Sequence, residues 1–288
     1  MVKISIGIPN YNRLENIRRL SCSLKYVKNI DSCEVNVFDD KSTQYDIEVL
    51  EKLFSQFSNV AFYENDVNLG ADLNTYQICN KFIDSGNDCL LLCDSDLILH
   101  PLSLEFIEEN IANTEGIMSL LNSNEHQEIS RISDKFVSKK YVGAAGVVFS
   151  KELLKDIVRN VPKENAIMWD WSFCQYLDSV GVKIYVSDRS YVQHMGFNGE
   201  NSNFLLYDFG KNYIPGTDFE KDELNKLYRD FFLDANSISD EFKIKVLIRR
   251  VVRVNFRRCI AFLFGDAFLF KMLSWRKRRL YHRRGQIL

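Results

Sequence analysis

The N-terminal third of the chain alternates between short apolar segments with a two-residue period and longer segments with helical periodicity. Val2, Ile4, Ile6 and Ile8 form the first period-two run, and CEVNVFDD and NVAFYEN are the next two. The following segment, CLLLC, is apolar at every position, as expected of a strand covered on both faces. Because strands that alternate with helices form parallel sheets with right-handed crossovers, this order predicts an α/β fold.

The segments between and after these runs complete the predicted elements. Amphipathic helices are predicted between the strands, where apolar residues recur at helical spacing. Further along, we predict a helix over 102–112, a strand at GIMSLL and a mobile loop over the polar stretch 122–140. GVVFSKELLKDIV predicts a strand and then a helix with Ser150 as its N-cap, and KIYVSD predicts another strand.

Polar clusters follow three of the predicted strands at the point where each strand ends. They are Asn10-Tyr11-Asn12, Asp39-Asp40 and Asp94-Ser95-Asp96. Ligands of parallel α/β sheets bind beyond the carboxyl ends of the strands, so the clusters predict a common site. The first strand–helix turn, GIPNYNRLEN, contains neither GxGxxG nor GxxxxGK[ST], which excludes a dinucleotide or P-loop cradle for phosphate.

Asp94 and Asp96 offer another way to hold phosphate. An unpaired buried carboxylate is costly, so two acids at the end of a buried strand need a positive partner. Divalent cations such as Mg²⁺ and Mn²⁺ take oxygen ligands and leave coordination positions for diphosphate oxygens. The alternative is a turn with two solvated acids; the apolar run before Asp94 favours the metal.

Four ordered motifs, ISIGIPNYNR, VNVFDDKST, NDVNLGADLN and LLLCDSDLILHP, resemble those of family 2 glycosyltransferases. The resemblance extends over residues 2–200 and implies the GT-A fold, a Rossmann-like, mostly parallel central sheet with flanking helices. It implies that a sugar is transferred, with inversion, from a nucleotide-sugar donor, a UDP-sugar, to a glycan or lipid-linked acceptor. The implied cofactor is Mn²⁺ or Mg²⁺.

The resemblance also implies a role for each polar cluster. In that family the first two clusters hold the base and ribose of the nucleotide, and the DxD motif holds a metal on its diphosphate. Pro9 and Tyr11 would then line the nucleobase pocket, and Asp40 would accept from the ring N–H of the base. In the DxD motif, Asp94 would contact the ribose and the metal, Ser95 would contact the donor, and Asp96 would contact the metal.

The chain departs from the family after the third strand. Many relatives carry Arg in this stretch, where NLGADLN has Leu73. Asn74 could replace that Arg in binding the nucleotide sugar only as an uncharged hydrogen-bond donor. Arg13 is the remaining nearby cation and is therefore assigned to the donor, with a solvated residue in the first helical turn as the alternative.

The segment NAIMWDWSFCQYL contains the candidate catalytic base. Inverting transfer needs a carboxylate that takes the proton of the acceptor hydroxyl, and Asp170 lies between Trp169 and Trp171. The two rings would provide apolar faces for a sugar and a partly desolvated setting for the base. Family members place their base in a comparable acidic motif at a helix start. The alternative is a helix N-terminal acid that satisfies backbone N–H groups.

His194, in YVQHMGFNGENSN, is the candidate third metal ligand. It follows an apolar strand, and some GT-A enzymes complete their metal shell with a histidine from this region. The alternative is a hydrogen-bonded structural histidine.

The C-terminal segment differs in charge from the rest of the chain. Residues 242–288 carry 14 Lys and Arg against one acid, whereas residues 1–241 carry 23 against 38 acids. The apolar run CIAFLFGDAFLF is too short and too interrupted to span a bilayer. We predict a basic, helical, membrane-associating appendage over 216–288, in which 242–288 contact anionic lipid. RNA binding is the competing use of such charge, but no nucleic-acid motif accompanies it, and no nucleic-acid partner is expected.

These observations predict a GT-A domain over 1–215 and an enzyme that works in the cytoplasm, peripherally at the inner face of the cell membrane. Seven Cys without CxxC spacing and an N-terminus without an apolar core favour a reducing compartment and no signal peptide. Two other classes stay open: a nucleotide-sugar-binding protein without turnover, and a nucleic-acid-binding protein that uses the basic tail. Whether the chain forms a homo-oligomer is also left open.

Overall fold

Strands and helices alternate through the first four strands, in the order that the sequence predicts. The computed structural model describes residues 2–196 and 207–237 and, toward the C-terminus, residues 239, 244–245, 248, 251–252, 255–256, 259–260 and 262–283. The strands are β1 (Ile4–Asn10), β2 (Glu34–Asp39), β3 (Val60–Glu64), β4 (Cys89–Leu92), β5 (Leu97–Leu99), β6 (Ile117–Ser119), β7 (Glu128–Arg131), β8 (Phe136–Lys139), β9 (Val147–Ser150), β10 (Ile184–Ser187) and β11 (Val192–His194). The helices are α1 (Leu14–Leu24), α2 (Ile47–Phe54), α3 (Ala71–Ile83), α4 (Ser103–Asn110), α5 (Lys151–Asn160), α6 (Trp169–Ser179), α7 (Asp218–Ser237) and α8 (Asp266–Arg283).

Nine strands of the described residues form one sheet, in the order β3-β2-β1-β4-β9-β6-β10-β8-β7. The pairs β1–β2, β1–β4, β2–β3 and β6–β10 are parallel. Strand β9 runs antiparallel to β4 and β6, and β8 runs antiparallel to β10 and β7. All strands of this sheet except β8 and β9 therefore point the same way, which confirms the predicted GT-A architecture. Strands β5 and β11 form a separate antiparallel pair.

Strand β4 is buried on both faces, as its unbroken apolar sequence predicts. Leu91 belongs to the core cluster on one face of the sheet, and Leu90 and Leu92 belong to the cluster on the other face. On the second face α3 approaches β1 closely, because a Cβ added at Gly7 would collide with Ile78.

The predicted mobile loop over 122–140 is wrong in its second half. Strands β7 and β8 form an antiparallel hairpin there, and β8 pairs with β10. Every residue of β7 is exposed at the edge of the sheet, so this strand has no inner face to produce an apolar alternation. The predicted N-cap is confirmed, because the Ser150 hydroxyl accepts a hydrogen bond from the Leu153 N–H.

Helix α7 packs against the sheet-bearing body. Leu224 and Leu227 are buried in a small cluster with Ile98 of β5. Arg19 Nε of α1 donates to Glu223 Oε2 at 2.6 Å. Helix α7 lies within the predicted appendage, and the division of the chain at 215/216 stays a prediction.

The basic tail is described only in part. No helix of the described residues is long and apolar enough to cross a bilayer. Five arginines that the sequence places at helical spacing lie outside the described residues: Arg249, Arg250, Arg253, Arg257 and Arg258.

Candidate active site

The three polar clusters meet at one edge of the sheet. Strands β1, β2 and β4 are parallel neighbours, with Asn10 in register with Asp39 and Gly7 in register with Leu92. The residues that follow β2 and β4 therefore emerge beside the end of β1. This register brings Asp40 and the turn 94–96 to the same edge as Tyr11 and Arg13.

The turn between β4 and β5 carries the DxD carboxylates. Asp96 is 2% exposed and Ser95 is 5% exposed, whereas Asp94 is partly exposed. The Leu97 N–H donates to the Asp94 carbonyl at 3.0 Å and closes the turn. Strand β11 pairs with β5 so that His194 lies opposite Leu97, which brings the end of β11 next to the turn.

Asp96 lies between two cationic side chains. Its Oδ2 accepts from the Arg13 guanidinium, and its Oδ1 lies 3.2 Å from His194 Nε2. Burial alone would raise the pKa of Asp96, but His194 and Arg13 lower it. Burial alone would lower the pKa of His194, but the Asp96 charge raises it to about 9. Burial, and then the Asp96 charge, raise the pKa of Asp94 to about 6.

The surroundings of Asp96 fit a divalent cation. Asp96 Oδ1 and His194 Nδ1 are buried, and neither makes a well-aligned hydrogen bond to the described residues. Gly196 packs so closely that an added Cβ would collide with the Asp96 carboxylate, so no side chain at this position covers it. In the described part of the chain no three His, Cys, Asp or Glu side chains already form a ligand set, and His194 as third ligand stays a prediction.

Asp40 is held by the turn that precedes α3. Its Oδ1 accepts from the Leu69 N–H at 2.8 Å and from Asn65 Nδ2 at 2.9 Å, and its Oδ2 accepts from the Gly70 N–H at 2.8 Å. Burial raises the pKa of Asp40, and these three hydrogen bonds oppose the rise. A carboxylate offers about four acceptor positions, so one remains for an N–H group of a ligand.

The other predicted nucleotide contacts divide into buried and open side chains. Asn74 is 1% exposed; its Nδ2 donates to the Phe38 carbonyl and its Oδ1 accepts from Asn65 Nδ2, both at 3.1 Å. Pro9 is partly buried on β1, and Tyr11 is 40% exposed just after it. Asn74 therefore fixes the end of β2, whereas the Tyr11 ring is open to a ligand.

Asp170 lies in the first turn of α6 and is partly exposed. Burial, followed by the charges of Asp72 and Asp94, raises the pKa of Asp170 to about 7. The charge of Lys277 and the Ala144 N–H act in the opposite direction. A general base is most effective when its pKa lies near the working pH, so this environment suits proton acceptance.

The two tryptophans that flank Asp170 have different environments. Trp169 is fully buried and packs edge-on against Tyr76, with 5.4 Å between ring centroids. The prediction that both rings face a sugar is therefore wrong for Trp169. Trp171 stacks on Tyr141 at 5.2 Å and stays partly exposed. Successive residues of a helix point about 100° apart, so residues on either side of Asp170 face different surroundings.

Asp72, in the first turn of α3, is a residue that the sequence analysis missed. Its carboxylate accepts from the Met168 N–H at 3.0 Å and from the Trp169 N–H at 3.3 Å, which fixes the start of α6. Lys277 Nζ of α8 lies 2.5 Å from Asp72 Oδ2. Acids are common in the first turn of helices, so the segment NLGADLN contains no signal for these long-range contacts.

The comparisons agree with the fold and with the motifs. Residues 5–128 match the family model described as glycosyl transferase family 2. S. aureus TarS matches with a TM-score of 0.53 and 17% identity, over 92% of this chain and 44% of that chain. TarS 1–349 in complex with UDP-GlcNAc matches with a TM-score of 0.51 and 19% identity, over 66% of this chain and 58% of that chain.

At these identities the likeness to TarS is a likeness of fold. The chain spans somewhat less than three fifths of the length of the TarS 1–349 structure with UDP-GlcNAc. No curated protein shows a significant match to the chain.

Proposed function

We propose that the chain, whose residues 5–128 match the model of glycosyl transferase family 2, is a glycosyltransferase that transfers a sugar from a UDP-sugar donor to a glycan or lipid-linked acceptor. The observation that carries the proposal is the setting of Asp170, a carboxyl group with a pKa of about 7 that is influenced by the charge of Asp94 in the DxD turn. A base next to a nucleotide-diphosphate site is the arrangement that glycosyl transfer requires.

The donor nucleotide would lie at the ends of β1 and β2. Tyr11 and Pro9 would contact the base, and the remaining acceptor position of Asp40 would take a ring N–H. Uracil offers such an N–H group. TarS has been solved with UDP-GlcNAc and with UDP, which supports a uridine nucleotide for this fold.

Mn²⁺ or Mg²⁺ would be held by Asp96 with Asp94 and, as predicted, His194. A bound cation offsets the charge that develops on the departing diphosphate. His194 would have to lose its proton to ligate a metal, since its pKa is about 9 beside Asp96. Arg13, which contacts Asp96, would contact a diphosphate oxygen as well.

The chemical step would be a displacement with inversion. The acceptor oxygen forms a bond to the anomeric carbon, the bond from that carbon to the diphosphate oxygen breaks, and UDP leaves with the bonding electrons. The Asp170 carboxylate takes the proton of the acceptor hydroxyl and thereby becomes neutral. Its raised pKa makes the carboxylate basic enough to accept this proton.

We expect the purified protein to hydrolyse one nucleotide sugar slowly, with water in place of the acceptor. A panel of UDP-, GDP- and dTDP-sugars, each with and without Mn²⁺, should give nucleotide release that is largest for one UDP-sugar and depends on metal. Free nucleotide measured by chromatography is the readout. Release from no donor, together with tight UDP binding, would leave a binding protein without turnover.

We further propose that the tail holds the enzyme at the cytoplasmic face of the membrane. Ile244, Ile248, Val252 and Phe256 are helical, recur every four residues and are each more than half exposed. Phe262 is 89% exposed. Exposed apolar stripes among basic residues are typical of helices that lie in the lipid headgroup region.

Full-length protein should sediment with vesicles that contain acidic lipid, and protein truncated after Ser239 should not. Each Lys or Arg near such a surface contributes about 1 kcal/mol, so a few of the 14 basic residues suffice. Rising salt should release only part of the protein, since apolar contacts are not screened. Equal sedimentation with neutral and acidic vesicles would contradict the electrostatic part, and an unfolded truncated protein would assign the tail to the core.

A further inference from the structure

Helix α8 contacts the catalytic body beside the start of α6. Lys277 Nζ lies 2.5 Å from Asp72 Oδ2, and Arg278 Nη2 donates to the Glu164 carbonyl at 2.5 Å. Leu269, in the first turn of α8, is 4% exposed. The helix is therefore anchored by both polar and apolar contacts, although it belongs to the basic tail.

Asp72 is the link between α8 and the segment that carries Asp170. Its two carboxylate oxygens accept from the N–H groups of Met168 and Trp169, the two residues before Asp170. Met168 has φ 67° and ψ 51°, a left-handed conformation that a non-glycine residue adopts only when its surroundings enforce it. The Asp72 carboxylate holds this turn through both N–H groups, and the Ser172 N–H holds it through the Met168 carbonyl.

The same segment also reaches the donor site. Gly70, two residues before Asp72, donates its N–H to Asp40, the predicted acceptor for the nucleobase. The residues at the start of α3 thus contact Asp40 of the proposed nucleotide-sugar site on one side and the start of α6 on the other. A cation that fixes Asp72 therefore lies between the proposed nucleotide-sugar site and the segment that carries the proposed base, Asp170.

We propose that Lys277 is a positioning residue, which acts through Asp72 to hold the start of α6 and the Asp170 carboxylate in the geometry for proton acceptance. The proposal rests on the proposed function, in which Asp170 is the base. It gives the basic tail a role in chemistry in addition to membrane binding.

The charges around Asp170 define the expected direction. Asp72 of α3 and Asp94 of the DxD turn raise its pKa, whereas Lys277 of α8 and the Ala144 N–H lower it. Loss of Lys277 removes a favourable charge from the ionised base, so the pKa should rise above about 7. Because only the ionised carboxylate accepts a proton, the rising limb of the pH–rate profile should then move to higher pH.

The test is Lys277→Met in the full-length protein. At pH 7 we expect turnover to fall by roughly threefold to tenfold, with recovery toward the wild-type rate at pH 9 and little change in donor KM. Lys277→Arg should restore most of the activity. Lys271→Met removes the same charge from the same helix without touching Asp72 and should leave the profile unchanged.

A second readout separates this inference from the proposed function. The Asp170 carboxyl can be followed by ¹³C NMR in aspartate-labelled protein and assigned by its loss in Asp170→Asn. Its titration midpoint should move upward in Lys277→Met whether or not a donor has been found. An unchanged midpoint and an unchanged pH profile would overturn the role of Lys277. Absence of turnover in the wild type with a shifted midpoint would overturn only the proposed function.

Discussion

Replacement of Asp170 with asparagine should lower the rate of sugar transfer by roughly 10²-fold or more and leave donor affinity nearly unchanged. Asparagine keeps the shape of the side chain but cannot take the proton of the acceptor hydroxyl. Initial rates of transfer or donor hydrolysis and calorimetric titration with UDP measure the two quantities. The loss should appear in kcat, because the missing group acts in the transition state.

The matched control is Asp178→Asn, on the same helix. Asp178 is exposed and lies 3.1 Å from Lys140 Nζ, so its loss should leave the rate unchanged. The wild-type rate should rise as pH passes through about 7 and level off above it, because Asp170 must be ionised. The rate of Asp170→Asn should not show this rise with pH. Near-normal turnover in Asp170→Asn would reduce Asp170 to a helix N-terminal acid.

Protein stability provides a further check on the same substitution. A carboxyl group whose pKa is raised in the folded state destabilises the fold at pH values above its unfolded pKa, and the effect is complete above about pH 7. Asp170→Asn removes this ionisation and should therefore be at least as stable as the wild type at pH 7 and above. A loss of activity at unchanged or higher stability would exclude unfolding as its cause.

The part of the fold predicted best from sequence is the part with the simplest periodicity. Strand β4 is apolar at every residue and buried on both faces, so its position also fixes the turn that carries Asp94 and Asp96. The edge strand β7 was missed because all of its residues are exposed, and a strand without a buried face shows no alternation. The prediction that the Trp169 ring faces a sugar was wrong, because the elements that pack against a helix determine which of its residues are buried.

The contacts that adjust the site are the least visible in the sequence. The ion pair of Lys277 with Asp72 joins residues more than two hundred positions apart, and nothing in the motif NDVNLGADLN indicates that Asp72 has a partner near the C-terminus. Arg13 presents the same difficulty. Its position directly before α1 is equally consistent with a solvated residue, and only the fold brings it to Asp96. The sequence thus indicates which residue types meet at the strand ends, and the packing of the helices determines their partners.

Asp96→Ala should abolish the gain in donor affinity that Mn²⁺ provides. In the wild type we expect Mn²⁺ to tighten UDP binding by at least about tenfold, or about 1.4 kcal/mol. This gain requires a cation between the carboxylate and the diphosphate. Without Asp96 the Arg13 guanidinium and His194 lose their shared anion, so UDP binding in the absence of metal should be retained or become tighter. Calorimetric titration with UDP, with and without Mn²⁺ at one pH, measures both effects.

Arg13→Met is the control that separates the metal from the neighbouring cation. It removes the guanidinium that contacts Asp96 but keeps both DxD carboxylates. We therefore expect weaker UDP binding without metal and an undiminished, or larger, gain on addition of Mn²⁺, since the cation no longer competes with Arg13 for Asp96 Oδ2. If Asp96→Ala retained the wild-type gain, the metal assignment at the DxD turn would be wrong. If Arg13→Met lost the Mn²⁺-dependent gain in UDP affinity, Arg13 rather than the carboxylate would carry the metal dependence. Its guanidinium would then be needed to order the diphosphate before a metal could bind it.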